Sequence, residues 1–309
     1  MCRTISTIGM SREDWLKQRK LGIGGSDAGA VCGLNPYSSP MNVYYDKTTE
    51  ALSDYDNETM RQGRDLEEYV AQRFMEETGL KVRRSNKMYW SSQHPFMFAD
   101  VDRLVVGEDA GLECKTASAY HSDKWKEGDI PPHYVIQCYH YMAVTGKKAW
   151  YLAVVILGVG FQYVKLTWDD DIIGSLIQVE QDFWEGHVVP RIMPDPDGSK
   201  TCDEVLEKYF RVSKKGSSIP LNGFDEKLKR RAELQALIGK MQTEQNQIDQ
   251  EIKLYMKDSE SAYSDCYRVN WSSVVSTRLD AKRLKEEKPE IYRDFSREVS
   301  SRRFTVKAA

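Results

Sequence analysis

Apolar positions along this chain follow two periods. Between residues 58 and 78, Leu66, Val70, Phe74 and Met75 follow helical spacing, which predicts an amphipathic helix stopped by Gly79. Pro131-Pro132 opens another helix, ended by Gly146, and residues 169–189 carry helical spacing again. Residues 149–157 and 161–168 read instead as strands, and two or three more strands are expected within 81–116. The last of that region reads FADVDRLVVGEDAGLECKTA, two short apolar runs separated by turn residues, which is a hairpin signal. Nearer the start, Ser11 precedes a short helix with acids in its first turn, Leu21-Gly22-Ile23-Gly24-Gly25 is a glycine-rich turn, Ser26 is placed to cap a small-residue helix, and a further helix begins near Pro40. Helices around a short mixed sheet predict an α/β fold.

The hairpin carries the first chemistry. If its loop covers residues 106–109, paired positions sum to 215 and Asp102 faces Glu113. Strand alternation then puts Glu113 and Lys115 on one face and Leu112 and Cys114 on the other. Directly opposed carboxylates repel each other, and a divalent cation between them removes the conflict. An acidic pair with a lysine beside it can hold a hard cation and polarise a phosphate ester. Glu67 stands on the long helix one turn after Gly63, where a glycine admits close approach; a plain surface acid would read the same way. Gln137 and Tyr141 form an i, i+4 pair, with His133 on the same face, and a glutamine inside YVIQCYHYM needs partners. Arg19 and Ser26 flank the glycine turn, an arrangement suited to an anion.

Composition narrows the setting. The 309 residues suffice for one large domain or two smaller ones. No apolar run approaches the ~18 residues needed to span a bilayer, and MCRTISTIGMSRED lacks a secretion signal, so cytoplasmic residence is the default expectation. The six cysteines include no CxxC pair, which excludes a locally encoded zinc ribbon or iron–sulfur cluster. A net charge of −3 argues against a generic polyanion binder, but from residue 205 onward there are 22 basic and 16 acidic residues. An acidic metal-holding region followed by a basic one suits nucleic-acid work, although an ordinary solvated surface reads alike. Three regions are expected: residues 1–190 as the α/β domain, a linker at 191–224 rich in Pro, Asp, Gly and Ser, and a mainly helical extension at 225–309. In the extension a long charged stretch, interrupted only by Gly239, predicts a helical hairpin or short coiled coil, followed by a strand, two short helices about Pro289 and a last strand. Arg230, Arg231, Lys282, Arg283, Arg302 and Arg303 are its candidate DNA contacts, with oligomer or partner contact as the other reading.

The ordered set Trp15, Arg19, Gly22, Ser26; Gly63, Glu67; Ala99, Asp102; Leu112, Glu113, Lys115; Tyr134, Gln137, then VTGKKAWYLAV, resembles the YqaJ-like viral recombinase family, phage-type alkaline exonucleases that include lambda exonuclease, within the PD-(D/E)xK nucleases. The resemblance covers about residues 10–190 and implies a restriction-endonuclease-like core. It implies Asp102, Glu113, the Cys114 backbone carbonyl and Glu67 as ligands of two Mg²⁺ (or Mn²⁺) ions, Lys115 as the residue that positions the attacking water, Gln137 as an organiser, and Arg19 and Ser26 as 5′-phosphate ligands. It further implies a 5′→3′ exonuclease on double-stranded DNA ends, a RecT- or Bet-type single-strand annealing partner, and a ring-shaped homo-oligomer. The sequence departs from the family at Val101-Asp102-Arg103, where Pro-Asp-Gly is frequent, and at Thr116-Ala117 after the lysine. A nicking or CRISPR-adaptation nuclease of the same fold, or an inactive DNA-end scaffold, are the alternatives; the cysteine spacing argues against the second of these and the intact acidic pair with its lysine against the third.

Overall fold

The computed structural model describes residues 2–52, 57–298 and 301–307. The chain divides into two compact units, Met1–Arg211 and Val212–Ala309. The first holds β1 (Arg3–Ser6), α1 (Arg12–Lys20), α2 (Gly25–Val31), α3 (Pro40–Thr48), α4 (Glu58–Thr78), β2 (Val82–Arg84), β3 (Lys87–Trp90), β4 (Phe98–Asp100), β5 (Arg103–Val105), β6 (Ala110–Ala117), α5 (Pro132–Thr145), β7 (Ala149–Ile156), β8 (Gly160–Thr167), α6 (Asp170–Phe183) and α7 (Lys200–Tyr209).

Five strands form a mixed sheet in the order β2-β5-β6-β7-β8, in which β6 and β7 run parallel and every other pair antiparallel. A parallel pair needs a crossover, and α5 supplies it. Every residue of β7 is buried, as a strand covered on both faces requires. On one face Val70, Ala71 and Phe74 of α4 pack on Leu112, Tyr151 and Ala153. On the other, Trp150, Leu152 and Val154 join Cys138, Tyr141 and Met142 of α5 and Leu176 of α6. A second sheet, β1-β3-β4, was not foreseen, and residues 81–116 hold five strands where two or three were expected. These strands are three or four residues long outside β6, too short to show their period.

Register at the hairpin matches the sequence arithmetic. Arg103 pairs with Leu112 and Leu104 with Gly111, so the next pair along would be Asp102 with Glu113. Gly111 is required by packing. A Cβ there would lie 2.3 Å from Trp150, which is fully buried. Gly111→Ala therefore forces the indole from its place, and overpacking of this kind costs about 1–3 kcal/mol. Thermal melting should fall by roughly 2–4 °C per kcal/mol; an unchanged melt would show that the indole yields freely.

Three local expectations are corrected. Ser26 does not cap α2: Gly24 is the N-cap, its N–H bonded to Asp27 Oδ2 at 3.0 Å. No backbone among the described residues closes on Gly63, where a Cβ would have Thr116 Oγ1 at 3.9 Å as its nearest contact, so that side of the helix is open. Within the stretch read as a linker, Ser199 caps α7, which buries Cys202 and Val205 in the core of the first unit. Its apolar residues are few, and the surrounding Pro, Asp and Gly masked them.

The second unit contains α8 (Asp225–Met256), β9 (Ser261–Tyr263), β10 (Arg268–Asn270), α9 (Ala281–Glu287) and α10 (Pro289–Asp294), with β9 and β10 antiparallel. Of the helical hairpin or short coiled coil expected, the hairpin does not form: α8 is one helix of 32 residues that passes through Gly239, the form a coiled-coil strand would take. A mid-helix glycine costs only about 1 kcal/mol, and no proline or left-handed residue accompanies it. Leu237, Ile238 and Met241 remain 50–71% exposed on this helix. No strand forms among the described residues 301–307, where the last one was expected.

Candidate active site

The hairpin and α5 bring the acidic pair together. Asp102, one residue before β5, accepts a hydrogen bond from the Cys114 N–H at Oδ2 (2.8 Å). Glu113 on β6 faces α5, where its Oε1 accepts from Lys115 Nζ at 2.6 Å and from Gln137 Nε2 at 2.7 Å. Gln137 Nε2 also reaches the Tyr141 hydroxyl at 2.7 Å. The i, i+4 spacing of Gln137 and Tyr141 on α5 thus becomes one hydrogen-bonded chain ending on Glu113, and the buried amide has its partners.

Electrostatics here are unbalanced in the way a cation would correct. Burial first, then the negative charges of Glu113 and Glu67, push Asp102 well above the usual carboxylate range. Burial also raises Glu113, against the opposing pull of Lys115. Burial works against the Lys115 charge, yet Glu113 and Asp102 together hold its ammonium above the ordinary lysine range. Burial and the same two acids keep the Tyr141 phenol neutral. Glu113 Oε2 is buried and receives no hydrogen bond from the protein. A buried, half-satisfied carboxylate beside a second one is an arrangement that a hard divalent ion would complete, so the residues present fit such an ion.

Glu67 takes a different place. Leu112, and with it Arg103 opposite, belong to the sheet face covered by α4, whereas Glu113 faces α5. The Arg103 guanidinium is bonded to Glu67 Oε1 and, at 3.0 Å, to Glu68, which Arg84 also holds at 2.7 Å. Among the described residues no group of three or more His, Cys, Asp or Glu side chains is set to hold a metal ion. Glu67 stands beside the acidic pair, on the same cavity as Asp102, with its carboxylate on the Arg103 guanidinium. A cavity of about 210 Å³ opens here, lined by Glu67, Arg84, Asp100, Asp102 and Arg103.

Arg19 and Ser26 do meet, with Arg19 Nη2 donating to Ser26 Oγ at 3.0 Å. Arg19 lies over the Trp15 ring, and the Trp15 indole N–H donates to Asp100 Oδ2 at 2.7 Å, which ties α1 to the strand leading into Asp102. Behind Arg19, Lys47 is fully buried and bonds its carbonyl at 2.9 Å and Asp27 at 2.8 Å. Arg12, Trp15, Arg19 and Lys20 line a cavity of about 600 Å³. Sequence reading missed Lys47, Asp27, Asp100 and the role of Arg103. The first three are single polar residues without spacing to mark them; Arg103 had a signal, since strand alternation set it on the α4 face.

An α/β core, a mixed sheet with helices on both faces, defines the fold class. The first unit has the fold of an alkaline exonuclease: the structure of LHK-Exo of Laribacter hongkongensis in complex with dAMP superposes with a TM-score of 0.51 at 20% identity, over 64% of this chain and 98% of that one. The YqaJ-like viral recombinase domain model matches residues 14–148. The YqaJ protein of Bacillus subtilis (strain 168) is 36% identical over 303 residues, 96% of this chain and 95% of that protein. The chain belongs to the YqaJ-like viral recombinase family. Among its described residues no helix is long and apolar enough to cross a membrane.

Proposed function

We propose that this protein is a Mg²⁺-dependent exonuclease that degrades double-stranded DNA from its 5′ ends and leaves 3′ single-stranded overhangs for recombination by strand annealing. The observation that carries the reading is the buried Asp102–Glu113 pair with Lys115 and Gln137 bonded to the same glutamate oxygen. Family membership and the alkaline-exonuclease fold support it.

Asp102, Glu113 and the Cys114 carbonyl would hold the cation, which when bound supplies Lewis-acid polarisation of the scissile phosphate and a more acidic water. Lys115, held in its charged form by the two acids, orients the attacking water and offsets charge that grows on the phosphoryl oxygens. Gln137 fixes the Glu113 rotamer, and neutral Tyr141 fixes Gln137. Arg19 and Ser26, poised on each other, accept the 5′-terminal phosphate in a charge-assisted contact. An annealing protein of the RecT or Bet type would receive the overhang. A closed homo-oligomeric ring would gather positive charge around the duplex, and a cytoplasmic site of action follows from the DNA substrate.

Polarity is the direct test. Linear duplexes carrying a 5′-phosphate should be digested faster than 5′-hydroxyl ones, a circular plasmid should survive, and EDTA should stop the reaction. Arg19→Ala should shrink the phosphate preference by roughly tenfold or more, since a charge-assisted contact is worth about 1.5–3 kcal/mol. Equal rates on both ends would discredit the phosphate site, and nicking of the plasmid would replace an end-dependent enzyme with an endonuclease.

A further inference from the structure

Among the described residues nothing packs along the middle of α8. Its 32 residues span about 48 Å, and from residue 229 to residue 251 every one is exposed. A heptad with Arg231 at a places Ile238, Gln245 and Ile252 at the later a positions and Leu234, Met241, Ile248 and Tyr255 at d. Six of these eight seam positions are apolar, so the repeat is that of a coiled-coil strand. Leu234, Ile238, Met241, Ile248 and Tyr255 are between 43% and 86% exposed, and Leu237, at g beside them, widens the stripe. A helix draws most of its stability from burying such a stripe, and a seven-residue repeat fits another helix of the same repeat.

Charge along α8 selects the partner and its direction. Residues 225–240 carry five basic and three acidic side chains, and residues 241–256 carry one basic and three acidic. The first half is therefore positive and the second negative, and a second copy laid antiparallel sets each half against its opposite. With the two helices fully overlapped, Ile238 meets Met241 of the second copy on both sides of the two-fold axis, and the Arg231 stem lies on Ile248. Arg230 at g then faces Glu251 at g, twice, and Gln235 faces Gln242 along the other flank. In the single chain Arg230 holds only Glu233, at 2.9 Å on the open surface, a contact weak enough to exchange. Parallel pairing would instead bring Glu244 at g against Asp249 at e, twice, with no opposite charges facing each other at the remaining g and e positions. We propose that α8 is a self-association surface that pairs antiparallel with α8 of a second copy of this chain. Such a two-fold contact is compatible with a ring closed through the first unit, the two together giving dihedral symmetry, and it does not depend on the nuclease reading.

The test is the mass of the full chain in solution, by sedimentation velocity over a concentration series. Ile238→Glu combined with Met241→Glu, both at exposed positions, seats two pairs of carboxylates in the seam at the axis and should halve the mass of the parent assembly. Arg230→Glu should weaken pairing on the order of tenfold, and Glu251→Arg by a similar factor. The two charge changes together should restore it, because each supplies the other's new partner across the antiparallel pair. In a parallel pair these positions lie about 30 Å apart along the axis and cannot rescue each other. A parent that sediments as a monomer at every concentration, a mass unchanged by the seam substitutions, or a double charge exchange no tighter than either single one would overturn the proposal.

Discussion

Glu113→Gln is expected to lower DNA digestion by on the order of 10³-fold or more, equivalent to about 4 kcal/mol of transition-state stabilisation, while duplex ends are still bound. The amide has the volume of the acid and can still accept from Gln137, so the chain that runs to Tyr141 survives. The charge does not survive. A cation loses one of its two buried anionic ligands, and Lys115 loses the nearer of the two acids that hold it protonated against burial. Asp102→Ala should abolish digestion in the same way, since it removes the other ligand and the acceptor of the Cys114 N–H. Initial rates on a 5′-phosphorylated duplex, end-binding by fluorescence anisotropy in EDTA, and a thermal melt of each variant measure the three quantities separately. Digestion at the parent's rate by either variant would end the nuclease reading, and loss of end-binding with digestion would mean that the pair shapes the fold and not the chemistry.

Lys47→Met should cost about 1–3 kcal/mol of stability at neutral pH, because the buried Asp27 carboxylate loses the nearer of its two cations and keeps only Arg19 at 3.7 Å. Lys47 is fully buried, 2.8 Å from Asp27, and anchors the Arg19 carbonyl. Burial pushes the Asp27 carboxyl upward, but Lys47 and Arg19 outweigh it and hold the group below its ordinary value. A depressed acid contributes stability that is complete above its unfolded value and is lost as pH falls through its folded one. In the variant, burial acts on Asp27 with one cation fewer opposing it, so the deficit is largest at neutral pH and shrinks as the pH falls and Asp27 takes up a proton. Melting curves of parent and variant between pH 4 and 8 check this. A gap that stays constant with pH would mean the loss is one of packing alone. Because Asp27 also holds the Gly24 N–H, the variant should weaken the preference for 5′-phosphorylated ends as well.

Much of the frame was legible in the chain. The helix at Glu58–Thr78, the crossover helix α5, strands β7 and β8 and the hairpin register all follow from periodicity and punctuation, because each is long enough, or bounded sharply enough by Gly and Pro, to show its pattern. Strand alternation put Glu113 and Lys115 on one face and i, i+4 spacing paired Gln137 with Tyr141, but the seating of Gln137 on the Glu113 oxygen is a long-range contact that local rules do not reach. The short strands β1 to β4 were hidden, and so was α7, because three or four residues cannot display a period and a few buried side chains do not outweigh a polar surround. Gly239 was read as a break because a glycine marks a low helix propensity; neighbours of high propensity outvoted it.

What the sequence determined by itself was a set of local relations: which residues share a helix face, which oppose each other across a hairpin, and that two acids and a lysine would stand close together. Tertiary structure alone decided how those charges are neutralised. Arg103 reaches Glu67 only because α4 crosses the back of the β5–β6 hairpin, and Lys47 reaches Asp27 and Arg19 only because α3 packs behind α1 and α2. Such pairings depend on distances between elements far apart in the chain, and in a buried site of low polarity they decide which charges are compensated.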